Sequence, residues 1–385
     1  MRNKSYVHHM QEDTVLEILL RLSVKSLLRF KCVCRYWRDL IKNSNFISKH
    51  LHHQNRKAYL LIQRYHYSTS RYALALLRLQ MLTNMPIVYH DIEDPHTPKR
   101  PSVIDSFNGI LCICDGCQIA LWNPTTREFK PLPVSDPVLP PYTKAYNNHY
   151  GFGLDLVTNN YKVIWIQYLW DEKTDCPYDH AVVSVYNLGI DSWKLVEADL
   201  CPDDYIQETL GNTCINGRYY WLIKGNDNNY LVLSFDMENE AFQRILAPLE
   251  INNSQFGALA LYNESIALLL YDPREVEKQV DIWMMIEEGY WTEQLIIGPL
   301  SNVDRLLGCS KNGKFIFDND TSQLVIYSPN TQEIKYFEPG GDNYSLEVFV
   351  YEESLASVKG ENQFWEGHNT LWSEFNCFSR SISLS

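Results

Sequence analysis

A pattern recurs five times along this 385-residue chain. A short apolar run ends in an aromatic residue, a polar turn follows, and a second short run returns. The runs are Ile119–Trp122 with Glu128–Leu132, Val183–Tyr186 with Ser192–Leu195, Leu233–Phe235 with Ala241–Phe242, Val280–Trp283 with Tyr290–Trp291, and Leu324–Tyr327 with Glu333–Tyr336. Their closing aromatics, Trp122, Tyr186, Phe235, Trp283 and Tyr327, are spaced by 64, 49, 48 and 44 residues. Further strand pairs lie between them, around Asn216-Gly217, Asn263-Glu264 and Asn312-Gly313. Asn-Gly is a strong two-residue hairpin signal. Four short strands every ~45–50 residues is the pattern of propeller blades. An aromatic content of 13% suits large, half-buried strand side chains.

Five blades account for roughly 103–338. Candidate strands are left over at 58–62, 72–79, 345–351 and 353–357. Combined, they make a sixth blade built from both ends of the chain, which closes the ring and removes its open edges. The organisation expected is therefore a helical module over 1–52, a linker with closing strands over 53–102, the ring over 103–358 and a tail over 359–385 without periodicity. The fold class is α+β multidomain: a small helical unit followed by an all-β propeller of six blades.

The front of the chain has helical spacing. Val15, Ile18, Leu19 and Leu22 fall at i, i+3, i+4 and i+7, with Asp13 or Thr14 placed to cap and Glu17 near the positive end. Ser23 interrupts. Val24, Leu27 and Leu28 mark a second helix, and Val33, Trp37, Leu40 and Ile41 a third. Ser44 is the expected cap of a fourth, holding Ile47 and Leu51. Leu16, Leu20, Phe30 and Tyr36 lie off these stripes and are expected to face outward. So small a unit buries little by itself. Its outward apolar residues either meet a partner or pack on the chain's own β-domain, and spacing leaves both open.

Charge divides the chain. Residues 1–57 hold 12 Lys+Arg against 4 Asp+Glu, and the remainder holds 22 against 43. The acidic ring argues against nucleic acid, whose phosphates it would repel, and favours encounter with a basic protein. The basic module suits an acidic partner. No apolar run is long enough to cross a bilayer, and the first residues lack a secretory apolar core, so the ten Cys are expected as thiols in a reducing compartment. Cys112, Cys114 and Cys117 lack a second paired half and are expected to be structural rather than metal ligands. Gly308 to Lys314 fits G-x4-G-K by letter, but Phe315 stands where Ser or Thr would bind Mg²⁺. There is no H-E-x-x-H and no G-x-S-x-G, and no catalytic, metal or cofactor site is expected.

Ile18-Leu19-Leu20-Arg21-Leu22, the run Val24 to Val33, Trp37 and Leu40-Ile41 together resemble a plant F-box. Met10-Gln11 replaces the usual Leu-Pro, Ser23 the usual Pro and Cys34 a usual Ser. The ring resembles the kelch-like F-box-associated domain at Phe107 to Cys112, Leu121 to Glu128, Tyr150 to Gly153, Tyr161 to Val163, Asn216-Gly217 before Trp221, and Asp281 to Met284. Tyr344 to Val348 with Glu353 to Leu355 is similar to the S-locus F-box group. The resemblance implies a non-catalytic substrate receptor of a Skp–cullin–F-box ubiquitin ligase. It implies adaptor contacts through Leu16, Ile18, Leu19, Leu22, Leu27, Leu28, Phe30 and Trp37. The subgroup implies a cytosolic pollen-tube protein, with the nucleus as the alternative compartment, that binds basic secreted style ribonucleases. The expected recognition face is the loops away from the helices, 137–149 and 171–180, around Tyr142, His149, Asp171 and His180. Two alternatives stand beside this: a ligase receptor for an unrelated target, and a protein- or glycan-binding module that does not engage the adaptor.

Overall fold

The computed structural model describes residues 12–54, 59–66, 68, 71–78, 90–91, 102–115, 118–135, 137, 139–200, 205–207, 210, 213–225, 230–248, 255–310, 313–338, 342 and 344–359. Met10-Gln11, the loop at 94–101, Cys117, Asn312 and the tail from 360 lie outside them.

Four short helices come first: α1 (Glu12–Leu20), α2 (Val24–Phe30), α3 (Arg35–Lys42) and α4 (Ser44–Gln54). Ser23 does not merely interrupt. Its hydroxyl accepts from the Ser26 N–H at 3.3 Å and caps α2. Cys34 Sγ accepts from the Trp37 N–H at 3.4 Å and does the same for α3. The fourth helix is capped not by Ser44 but by Asn43, whose Oδ1 accepts from Asn45 and Phe46 N–H at 2.9 and 3.4 Å. Three further expectations are corrected. Asp13 and Thr14 lie inside α1, which starts at Glu12, so neither caps it. Leu20 is buried, because α1 turns a stripe wider than one row toward its neighbours. Val33 is exposed, because α2 ends at Phe30 and Val33 falls in the turn before α3.

Six sheets follow, each the blade of a ring. Blade 1 joins β1 (Tyr59–His66), β2 (Arg71–Arg78) and β3 (His90–Asp91) to the last strand, β26 (Glu347–Tyr351). Blade 2 is β4 (Ser102–Phe107), β5 (Ile110–Asp115), β6 (Gln118–Asn123) and β7 (Glu128–Pro131). Blade 3 is β8 (Thr143–Asp155), β9 (Asn160–Asp171), β10 (Cys176–Pro177), β11 (Val182–Asn187) and β12 (Ser192–Val196). Blade 4 is β13 (Tyr205–Gln207), β14 (Cys214–Ile215), β15 (Arg218–Lys224), β16 (Tyr230–Asp236) and β17 (Ala241–Leu246). Blade 5 is β18 (Phe256–Tyr262), β19 (Ser265–Tyr271), β20 (Lys278–Glu287) and β21 (Tyr290–Leu300). Blade 6 is β22 (Leu306–Cys309), β23 (Phe315–Asp318), β24 (Leu324–Ser328) and β25 (Glu333–Phe337). All pairings are antiparallel, and Tyr59 stands opposite Tyr351 where the ring closes. The expected sixth blade from both chain ends is present, but Glu353 to Ser357 is not one of its strands.

The ring's core is six apolar layers, one at each seam between blades. Side chains alternate across a strand, so a middle strand feeds both of its seams. Ile266, Leu268 and Leu270 pack toward blade 4, while Ala267, Leu269 and Tyr271 pack toward blade 6. This explains why the strands read as unbroken apolar runs. Trp122, Tyr186, Phe235 and Tyr327, the recurring aromatics, are buried in these seams. Ion pairs bridge blades at one end of the ring: Lys130 to Asp191 at 3.0 Å, Lys162 to Glu240 at 2.8 Å and Arg218 to Glu288 at 3.9 Å.

Hairpin direction divides the loops between two faces. Turns joining first to second and third to fourth strands lie on one face, and all other connections lie on the other. Because β26 ends and β1 begins on the first of these, the helices sit there too. Past β26 the chain forms a strap. Leu355 enters the helical core with Leu19, Leu20, Val24, Leu27, Ile41 and Phe46. Ala356 and Val358 enter the seam between blades 2 and 3, and Ile47 touches both clusters. Asn123 Nδ2 donates to Ala356 O at 2.8 Å, and Ser357 Oγ donates to Glu128 Oε2 at 2.7 Å. The strap lies so close to the Asn108-Gly109 turn that a Cβ on Gly109 (φ +74°) would stand 2.4 Å from Glu352 O. Only glycine fits there.

Leu355→Ala is expected to cost about 2–5 kcal/mol, concentrated in the helices. Hydrogen exchange on α1–α4 should quicken while β5, β15 and β19 keep their protection.

Candidate functional site

Two surfaces at opposite ends of the ring emerge from this arrangement. On the helices, the apolar residues left outside are Ile18 (47% exposed), Val33 (62%) and Tyr36 (49%). Leu16, Leu22, Leu28, Phe30 and Trp37 are half-buried beneath them, and the Phe30 and Trp37 rings lie 5.3 Å apart. Exposed Arg21, Lys25, Arg29, Arg35 and Arg38 surround this set. Six of the eight residues expected to meet an adaptor therefore lie wholly or partly at the surface. Leu19 (1%) and Leu27 (0%) do not: they form the helical core that holds the others in place. Spacing puts Val33 on the stripe of the third helix, but α3 begins at Arg35 and Val33 stands exposed in the turn before it.

The opposite face is built by the loops between blades. Tyr142 and Asp171 meet at the end of the β8–β9 hairpin, where the Glu172 N–H donates to Tyr142 O at 2.9 Å. Lys173 Nζ lies 3.6 Å above the centre of the Tyr142 ring, and Tyr142 is 59% exposed. Asp171 Oδ1 accepts from the Lys173 N–H at 2.8 Å, which holds its carboxyl below the usual range. His180 is exposed beyond β10. His149 is not part of this group. It lies inside β8, on the wall of an axial cavity of about 810 Å³, and burial pushes its pKa down to about 4. Tyr72, Tyr150, Tyr219, Trp221, Phe256, Tyr271 and Phe349 line part of that wall. A second cavity of about 530 Å³ occupies the helix end of the axis, with His52 of α4 at its edge.

Charge differs between the two faces. Among the described residues, the loops of the far face carry 12 Asp+Glu against Lys173, Arg274 and Arg305 alone. The near-face turns carry five acids and two bases, and Asp191, Glu240 and Glu288 are held in the seam ion pairs. On the far face Asp179, Glu197 and Asp320 have no basic partner among the described residues. The acidity of the chain is thus displayed on the side away from the helices.

No group of three His, Cys, Asp or Glu among the described residues could hold a metal ion. Cys112 and Cys114 are buried, and burial pushes the Cys112 thiol well up, away from a ligating thiolate. Gly308 to Lys314 spans the end of β22 and the turn into β23, not a strand-to-helix phosphate loop. No helix of the described residues is long and apolar enough to cross a membrane.

The family model of the F-box associated beta propeller domain matches residues 50–353, and that of the F-box domain matches residues 8–49. An Arabidopsis thaliana F-box/kelch-repeat protein is 27% identical over 91% of this chain and 96% of its own length. An F-box protein of the same plant is 26% identical over 86% of each chain. A third Arabidopsis relative, whose name also carries the words F-box protein, is 30% identical over 60% of each.

One buried group gives a pH signature. Asp105 on β4 is wholly buried, and this raises its pKa to about 7 despite hydrogen bonds from Ser106 N–H and the Tyr219 hydroxyl. The folded chain keeps a proton that the unfolded chain loses near pH 4, so stability falls as pH rises from about 4 to 7 and stays low above. Asp105→Asn is expected to raise Tm by roughly 5 °C at pH 8 and to leave it nearly unchanged at pH 4, read by calorimetry.

Proposed function

This chain belongs to the F-box proteins that carry an F-box associated β-propeller domain, and on that premise we propose that it is the substrate receptor of a Skp–cullin–F-box ubiquitin ligase. The observation that carries the reading is the strap. It packs the helices onto one face of the ring, so that an adaptor held by Ile18, Val33, Tyr36 and the half-buried Leu16, Leu22, Leu28, Phe30 and Trp37 stands at a fixed distance from a target on the other. The chain itself then does no transfer chemistry. It raises the local concentration of a target lysine near a ubiquitin-charged enzyme held elsewhere in the assembly, which is catalysis by proximity. Ser23 and Cys34 support adaptor binding rather than weaken it, since both cap the helices whose starts a proline or serine would otherwise set.

The target we assign is a basic style ribonuclease taken up by pollen, with the receptor working in the pollen-tube cytosol. Two features favour it: the S-locus-like residues at Tyr344 to Val348 and Glu353 to Leu355, and the acidic loops of the far face. Long-range attraction of this kind raises the encounter rate and fades with salt.

Co-purification of the full chain with a Skp-type adaptor tests the receptor reading. Ile18→Asp with Val33→Asp is expected to reduce adaptor retention by more than tenfold without changing the far-UV spectrum; failure of wild type to retain adaptor contradicts the reading. Leu19→Asp does not serve here, because it would disrupt the helical core. A panel of basic ribonucleases tests the target. Retention that weakens between low and moderate salt supports it, and adaptor binding with no ribonuclease bound points to a different target.

A further inference from the structure

The β8–β9 hairpin is set apart from the rest of the far face. Its 13- and 12-residue strands are the longest among the described strands. A bulge at Tyr146, between Ala145 and Asn147, turns that side chain onto the face occupied by Tyr168 and Trp170. The rings then run in contact. Trp170 meets Tyr146 edge-on at 5.8 Å, Tyr146 meets Tyr168 at 6.4 Å, and Tyr168 meets His149 at 5.8 Å. The outer end of this row is at the surface, with Tyr146 44% exposed and Trp170 half-buried; Tyr168 behind them is buried in the seam between blades 3 and 4, and His149 lies on the cavity wall.

We propose that the exposed end of this row, Tyr146 and Trp170, together with Tyr142 at the same end of the strands, is the docking site for an extended Lys- and Arg-rich segment of a partner protein. The inference deepens the receptor reading and rests on it. Three observations fix the chemistry of the occupant. Acids without basic partners lie on the same face of this blade: Asp179 in the β10–β11 connection, whose Tyr178 N–H donates to Leu169 O at 2.8 Å, and Glu197 past the end of β12, so a cation approaches down a favourable field. The hairpin end already holds one cation on an aromatic face, Lys173 over Tyr142. The nearby basic side chains are engaged: Lys144, opposite Trp170, pairs with Glu172 at 3.3 Å, and Arg305 on the cavity wall donates through Nε and Nη2 to one oxygen, Oδ2, of Asp318 at 3.1 and 2.7 Å. Guanidinium and ammonium groups stack on Tyr and Trp faces and keep their outer donors for carboxylates. A row of rings flanked by acids fits that combination better than it fits an apolar segment, which would leave the carboxylates facing grease.

Fluorescence anisotropy of a fluorescein-labelled Arg-Gly repeat peptide, added to the full chain, tests the proposal. Saturable binding that weakens with salt is expected. Tyr146→Ala with Trp170→Ala should weaken it roughly tenfold, the loss of two cation–π contacts. Tyr146→Phe with Trp170→Phe should restore most of it, which separates stacking from a folding defect. Asp179→Lys with Glu197→Lys should weaken binding and flatten its salt dependence. The proposal is overturned if a Leu-Gly repeat peptide binds as tightly, if the Ala pair changes nothing, or if sedimentation shows a dimer that the Ala pair converts to monomer. Adaptor retention measured on the same preparation keeps the two readings apart. Adaptor bound without peptide removes the docking site and leaves the receptor reading standing; peptide bound without adaptor does the reverse.

Discussion

Five residues of β26 pair backbone to backbone with Tyr59 to Gln63, and the ring depends on that pairing. Gln63 and Glu347 are 284 positions apart, yet Gln63 Nε2 donates to Glu347 Oε2 at 2.6 Å. Without this closure blade 1 lacks its inner strand, blade 6 has no neighbour on one side, and two apolar layers open to water. The same pairing fixes where the chain emerges, because a strand that ends at Tyr351 delivers the strap to the face from which β1 started. Leu355 can then reach the helices, and Ala356 and Val358 the seam between blades 2 and 3. Ring closure and helix docking are one event in two steps along a dozen residues.

Strand direction does the rest. Among the described turns those on the near face are short, which leaves most of the described loop sequence on the far side. The near side holds three of its five turn acids in seam ion pairs and carries the helices, while Leu156, Val157 and Ile190 of its turns stay exposed. The far side displays acids without partners and an aromatic hairpin. A basic helical unit at one end and an acidic reading face at the other are thus consequences of topology as much as of composition. The distance between them is held by packed side chains, not by a linker.

Much of this could be read from the residues. Every blade buries both faces, so its strands appear as apolar runs at regular intervals, and the seam aromatics mark the period. The helices were legible from spacing, but not their caps: Asn43, not the expected Ser44, caps the fourth helix, and Ser23, which reads as an interruption, is a cap. Other features carried no such signal. Glu353 to Ser357 alternates like a strand but is a strap, because its partners are Asn123, Glu128 and the helical core rather than a neighbouring ladder. The stretch from 143 to 149, rich in Asn and interrupted by a bulge, reads as loop but forms the first half of β8, which moves His149 from the far-face loops to the cavity wall. Leu19 and Leu27 resemble adaptor contacts by motif but are core by geometry, since three or four short helices must use their best apolar residues to hold one another. The two-residue β3 is too short to show any period.

The central claim is that one packed body presents an adaptor surface on its helices and a separate target surface across the ring. Hydrogen exchange of the full chain, with and without a saturating Skp-type adaptor, tests it most directly. The account requires new protection confined to α1–α3 and the turn at Val33, with exchange in the 172–180 loops and in the β8–β9 hairpin unchanged. Protection of the far-face loops by the adaptor, or none on the helices, would contradict it.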